Sequence, residues 1–184
     1  MRVVGGRLRG RALKGPQSQA IRPTADRLRE SLFNILVHAF GNPIEGARVL
    51  DLFAGTGALG IEALSRGAAF TLFVDDGVEA RALLRSNVEA LGLGGTSKVY
   101  RRDASKLGPA HPMEPFSLVF ADPPYGKGLA EKALTSAREG SWLLPDALAV
   151  VEEATVAAFK APEGFTELER RTYDDTEFVF LRTL

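Results

Sequence analysis

Asp51-Leu52-Phe53-Ala54-Gly55-Thr56-Gly57-Ala58-Leu59-Gly60 joins the end of an apolar run, Val49 to Phe53, to a helix-forming stretch that reaches about Arg66. Gly55 to Gly60 fits the pattern G-x-G-x-x-G between a strand and a helix. Glycines there allow a tight turn and let a ligand approach the backbone. A strand, a glycine turn and a helix form the first unit of an α/β fold, and the rest of the chain continues the pattern.

Downstream, Phe70 to Val74 reads as a strand and Val78 to Leu91 as a helix. Lys98 to Arg102 and Phe116 to Ala121 are further strands, Leu129 to Arg138 a helix, and Leu148 to Glu152 a fifth strand. Regular alternation of this kind predicts a mostly parallel sheet covered on both faces. The end breaks the pattern. Phe165 to Tyr173 and Glu177 to Arg182, joined through Asp174-Asp175-Thr176, predict an antiparallel hairpin. Upstream, Thr24 is the expected N-cap of a helix whose apolar positions Leu28, Leu32, Ile35, Leu36 and Ala39 share one face. Residues 1–14, with Gly5-Gly6 as a turn signal, read as a short β-hairpin. The domain reading is a basic hairpin arm and connector over residues 1–21, then one α/β domain over 22–184.

A chain of 184 residues is long enough to bury a real core. It has no run of about 18 apolar residues, so a membrane span is not expected. It has no cysteine, which excludes disulfides and thiolate metal sites and fits a cytoplasmic protein. His38 and His111 lack ligand-spaced partners, so no metal is expected. Formal net charge is zero, but its distribution is uneven. Arg2, Arg7, Arg9, Arg11, Lys14, Arg22, Arg27 and Arg29 face only Asp26 and Glu30 within the first 30 residues. Such a segment suits phosphate contacts. In a strand, Arg7, Arg9 and Arg11 would share one face; the plainer reading is a charged edge strand that resists aggregation.

The glycine loop alone would admit a nicotinamide dinucleotide, with Asp75, about 20 residues after Gly55, accepting from ribose hydroxyls. Asp51 argues otherwise. A carboxylate just before the loop serves a pyrophosphate poorly and a cationic amino group well. Asp103, after the third strand, offers an acceptor to an adenine amino group. Three acids at successive strand ends fit S-adenosyl-L-methionine, which carries an ammonium and a sulfonium and no phosphate; helix capping is the alternative. The expected cofactor contacts are Asp51, Phe53, Ala54, Gly55, Thr56, Gly57, Asp75, Asp103 and Ala104.

Asp122-Pro123-Pro124-Tyr125 follows the fourth strand. Two prolines fix φ and donate no N–H, so the element is rigid. The Asp122 carboxylate and Pro123 carbonyl can both accept from one NH₂ group, and the Tyr125 ring offers a face for a base. These residues are the expected catalytic element, for methyl transfer to the exocyclic nitrogen of a nucleobase.

At this point the chain resembles class I S-adenosylmethionine methyltransferases, and more narrowly the RsmD family of 16S rRNA guanine-N2 methyltransferases. The resemblance spans nearly the whole chain. It rests on Arg2 to Arg11, on Arg22-Pro23-Thr24-Ala25-Asp26-Arg27-Leu28-Arg29-Glu30 with Leu32 to Leu36, on Asp51 to Gly60, and on Asp122 to Tyr125. Tyr173-Asp174-Asp175-Thr176 is similar to the family's Tyr-Gly-Asp-Thr turn, with Asp174 in place of glycine. Asp75 stands where the family usually has Glu. The resemblance implies a Rossmann-like seven-stranded sheet and methylation of one guanine of the small ribosomal subunit, with protein-bearing subunit RNA as preferred substrate. Arg2, Arg7, Arg9, Arg11, Arg22 and Arg27 are the expected RNA contacts, and a monomer is expected. An N6-adenine methyltransferase is the first alternative. A glutamine methyltransferase, a nicotinamide oxidoreductase and a non-catalytic RNA-binding module follow it.

Overall fold

The apolar runs of the chain become strands, and the helices take their places between them. The structure, a computed structural model, describes residues 1–16 and 26–184. In order, the elements are α1 (Asp26–Ala39), β1 (Arg48–Leu52), α2 (Ala58–Ser65), β2 (Phe70–Val74), α3 (Val78–Ala90) and β3 (Ser97–Tyr100). Next come β4 (Phe116–Ala121), α4 (Leu129–Glu139), β5 (Leu143–Ala154), β6 (Phe165–Tyr173) and β7 (Thr176–Thr183). Thr24, the expected cap of α1, and Arg22 lie outside the described residues. Among the described residues no helix is long and apolar enough to cross a membrane.

One sheet of seven strands runs β3-β2-β1-β4-β5-β7-β6. The first five in that row are parallel; β7 enters antiparallel between β5 and β6. This is the expected parallel sheet with a C-terminal antiparallel hairpin. Strand alternation sends neighbouring side chains to opposite faces. Val49, Phe73, Leu118, Phe120, Val150 and Phe180 pack with Leu32, Phe33 and Leu36 of α1 and with Ile61 and Leu64 of α2. Leu50, Leu72, Val119, Val151 and Val179 pack on the other face with Ala130, Ala133 and Leu134 of α4 and with Trp142. Full burial of each large side chain contributes about 1.5–3 kcal/mol, so the two clusters dominate the fold's stability.

One expectation is corrected. β5 begins at Leu143 rather than Leu148, with a register shift against β4 between Phe116 and Leu118. The N-terminal hairpin is present and short: Arg2 bridges Ala12 antiparallel, Val3 N–H donates to the Arg11 carbonyl at 2.9 Å, and Leu13 N–H donates to the Met1 carbonyl at 2.8 Å. Between the paired ends, backbone N–H groups turn to α2. Val4 and Gly5 donate to the Glu62 carboxylate at 3.0 and 2.8 Å, Leu8 to Ser65 Oγ at 2.9 Å, and Arg7 to the Ser65 carbonyl at 2.9 Å. Helix α2 therefore anchors the hairpin through the residues between its paired ends. Residues 7–10 form turns, so strand alternation does not align Arg7, Arg9 and Arg11. Val3, Leu8 and Leu13 are buried in the core beside α1 and α2.

Candidate active site

Sheet order reverses at β1, whose neighbours are β2 on one side and β4 on the other. In open α/β sheets such a reversal opens a crevice at the carboxyl ends of the strands. Leu52 is the register partner of both Val74 and Ala121. The next residues along the three strands are Phe53, Asp75 and Asp122. Neighbouring strands lie about 4.8 Å apart, so the glycine loop and the Asp122–Tyr125 element stand side by side. The two halves of the expected chemistry meet.

The loop is built from left-handed backbone. Phe53 has φ 57°, Gly55 59° and Gly57 85°. For a bulky residue such as Phe53 this region is sparsely populated and carries strain. Ala54 N–H is held by the Val74 carbonyl at 3.0 Å, and Asn87 of α3 donates to the Thr56 carbonyl at 3.0 Å. Gly60 is required by space: a Cβ there would lie 2.4 Å from the Phe73 ring and 2.9 Å from Asp51 Oδ2.

Carboxylates fill the base of the loop. Asp51 is buried and its Oδ2 accepts from Gly60 N–H at 3.0 Å. Burial pushes its carboxyl well above the usual carboxylate range, the Gly60 bond partly opposes this, and the nearby Asp75 charge adds to it. Asp75, half-buried, accepts from Gly55 N–H at 2.9 Å and from Gly77 N–H at 2.8 Å. Each carboxylate oxygen has a second lone pair, so ribose hydroxyls can still bond. Asp103 is exposed and caps the short helical turn Ala104–Lys106, accepting from Ser105 N–H at 2.9 Å and Ser105 O–H at 2.7 Å. Those bonds hold its carboxyl below the usual range. Ala104 is buried beside Leu107.

Asp122 follows β4 directly and is half-buried, Pro123 is buried, and Pro124 is exposed. The Tyr125 hydroxyl donates to Glu152 Oε2 at 2.9 Å and lies 3.3 Å from Thr176 Oγ1. Burial first, and then the Glu152 charge, pushes this phenol up to about 12. Gly126 N–H donates to Glu153 Oε1 at 3.1 Å. Glu152 and Glu153, both buried, escaped the reading of the sequence. The available signal was a pair of acids closing an otherwise apolar strand.

Of the expected RNA contacts, Arg2, Arg7, Arg9, Arg11 and Arg27 are exposed. Arg2 Nη1 donates to the Gly10 carbonyl at 2.8 Å and Arg11 Nη2 to the Ala90 carbonyl at 3.2 Å. The segment carrying four of them is fixed to α2 through Glu62, which the sequence reading also missed. Glu62 is fully buried and accepts from Val4, Gly5, Arg29 Nε at 3.2 Å and Arg66 Nε at 2.8 Å. Arg29, buried as well, also pairs with Asp26 at 2.9 Å and donates to the Arg2 carbonyl. An acid inside the apolar helix Ala58–Ser65 was the signal.

A pyrophosphate bound at such a loop takes its backbone N–H groups. Here Gly55 and Gly60 N–H already bond to Asp75 and Asp51. The carboxylates, as acceptors, instead suit a ligand with ribose hydroxyls and a cationic tail, which would restore the charge that burial disfavours on Asp51. A family model described as conserved hypothetical protein 95 matches residues 1–182. The chain is 40% identical over 152 residues to ribosomal RNA small subunit methyltransferase D of Escherichia coli strain K12, covering 83% of this chain and 74% of that one. It is 35% identical over 174 residues to the protein of the same name from Haemophilus influenzae, covering 94% and 88%. The solved structure of a candidate methyltransferase from Escherichia coli superposes with a TM-score of 0.83 at 31% identity, covering 100% of this chain and 97% of that one.

Proposed function

The chain belongs to the family described as conserved hypothetical protein 95, the RsmD family, and from that premise we propose that it methylates the exocyclic N2 of one guanine in 16S rRNA. It is an rRNA methyltransferase, and its cofactor is S-adenosylmethionine. One observation carries the proposal: the glycine loop with its buried Asp51 and the Asp122–Tyr125 element close adjacent strands at the reversal of the sheet.

S-adenosylmethionine supplies an electrophilic methyl group on a sulfonium. Asp51 holds the cationic tail, and Asp75 accepts from the ribose. Asp103 and Ala104 border the adenine. Asp122 carboxylate and the Pro123 carbonyl accept the two N–H bonds of the guanine amino group, which aims its lone pair at the methyl and favours the positive charge that develops. Asp122 or water then takes the proton. Tyr125 stacks on the base. The arginines of residues 1–11 contact phosphates, with Arg27 of α1 and Arg22 assisting, and the substrate is the small subunit or an assembly intermediate.

Tritium transfer from labelled S-adenosylmethionine to small subunits lacking the modification tests this, with the product nucleoside identified. N2-methylguanosine is the expected product, and N6-methyladenosine would assign the adenine reading instead. Asp122→Ala is expected to lose at least about 100-fold in transfer, with cofactor affinity by calorimetry unchanged. Full transfer by this variant would remove Asp122 from the chemistry.

A further inference from the structure

The turn Tyr173-Asp174-Asp175-Thr176 enters none of the chemistry above, yet it borders the acceptor site. Asp174 takes the left-handed conformation at φ 55°, which aspartate tolerates better than most residues. The turn delivers Thr176, the first residue of β7, to 3.3 Å from the Tyr125 hydroxyl. On the neighbouring strand Glu152 Oε2 accepts from that same hydroxyl at 2.9 Å. Glu152 pairs with Phe178 and Ala154 with Thr176 across the β5–β7 ladder. The Asp175 carbonyl holds Thr155 N–H at 2.8 Å, just beyond β5.

Burying carboxylates is costly unless each is bonded. Glu152 and Glu153 are 6% and 1% exposed, and both bond to the loop that follows Pro124. Glu152 Oε2 reaches Tyr125 and Glu153 Oε1 reaches Gly126, while Glu153 Oε1 also accepts from Ala154 N–H at 2.9 Å. A phenol fixed at its far end by an acceptor and a hydroxyl cannot swing about its χ angles, so its ring plane is set before any base arrives. Pre-setting a stacking face removes an ordering cost from binding.

We propose that Glu152 and Thr176 are positioning residues that fix the Tyr125 ring for the acceptor base, so that the C-terminal turn and strand are part of the substrate site. This inference rests on the methyl-transfer reading. Stacking on a fixed ring governs acceptor binding more than the chemical step. Glu152→Ala and Thr176→Val therefore raise KM for the small subunit, about tenfold for Glu152→Ala, with a smaller change in kcat and unchanged affinity for S-adenosylmethionine. Glu152→Gln keeps an acceptor oxygen and stays within about threefold of wild type on the same scale.

The decisive comparison is a double-mutant cycle with Tyr125→Phe, which removes the hydroxyl. If Glu152 acts through that hydroxyl, Glu152→Ala adds no further loss in the Phe background. Additive losses, or an unchanged KM in Glu152→Ala, overturn the proposal. A second measurement is independent of RNA. Protein carrying ¹³C at the tyrosine Cζ gives three resonances, one for each tyrosine, and Tyr125→Phe identifies the relevant one. In Glu152→Gln its titration moves down toward the ordinary value of about 10; an unmoved titration overturns the Glu152 contact itself. Failure of the methyl-transfer reading shows separately, as absence of label from reactions of the wild-type protein.

Discussion

Replacing Glu62 withdraws the acceptor for four donors at once, and the structure permits its cost to be worked out. Oε1 accepts from Val4 N–H and Arg29 Nε; Oε2 accepts from Gly5 N–H and Arg66 Nε. Each oxygen thus serves one backbone group and one guanidinium. The Arg29 and Glu62 side chains are 0% exposed, whereas Arg66 is 15% exposed. Glu62→Ala leaves Arg29 buried with Asp26 as its remaining acid, and breaking a buried pair from one side costs about 3–5 kcal/mol. For a domain of 150–250 residues each kcal/mol lowers Tm by about 2–4 °C, so a fall of roughly 6–20 °C is expected. Glu62→Gln keeps one oxygen. That oxygen turns to Val4 and Arg29, its NH₂ then confronts Gly5 N–H, and Arg66 swings toward solvent. One unsatisfied buried donor costs about 1–3 kcal/mol, so glutamine falls between wild type and alanine. Thermal melts followed by circular dichroism, with urea midpoints as a check, measure both. A Glu62→Ala protein melting within about 3 °C of wild type, or a glutamine variant no better than alanine, would refute the reasoning.

Two further outcomes concern the cofactor loop. Burial raises the Asp51 carboxyl in the folded protein, so the fold keeps a proton that the unfolded chain releases near pH 3.9; that stability is fully present below this pH and is lost as pH rises through the folded value. Asp51→Asn removes the loss, so urea unfolding shows its advantage over wild type growing with pH, and parallel pH curves would contradict the assignment. The same variant binds S-adenosylmethionine about 10–100-fold more weakly by calorimetry, the range for a bond to a charged group. Gly60→Ala forces a methyl to 2.4 Å from the Phe73 ring and 2.8 Å from the Thr71 methyl. It is expected to cost about 1–3 kcal/mol in a thermal melt, and an unchanged Tm would show that the loop yields.

Period and punctuation made the α/β core legible. Val49 to Phe53, Phe70 to Val74 and Phe116 to Ala121 are near-continuous apolar runs, each broken by one polar residue (Asp51, Thr71, Ser117), because parallel strands are buried on both faces. Their carboxyl ends therefore announced the crevice, and the residues just beyond them, Asp75 and Asp122, could be read as lining it. What escaped was long-range pairing. Residues 1–14 pair as the short hairpin their pattern predicts, but the anchoring of its middle to Glu62 and Ser65 of a distant helix has no local signal. Glu152 and Glu153 looked like the polar end of a strand, since their partners, Tyr125 and Gly126, lie 27 positions away. Asp103 could be read as a ligand contact, and the structure also gives it a local capping duty toward Ser105.

The insertion of β7 between β5 and β6 has a consequence for how the chain comes into being. β7 occupies Thr176–Thr183 and is made after the other six strands of the sheet, yet it pairs with the strand whose acids hold Tyr125 and Gly126. Chains emerge amino end first, at about 5–20 residues per second. The glycine loop and its carboxylates belong to strands that emerge early. The Tyr125 hydroxyl gains its Thr176 neighbour only once β7 has been made. The strands that carry the glycine loop are thus made before the strand that brings Thr176 to Tyr125.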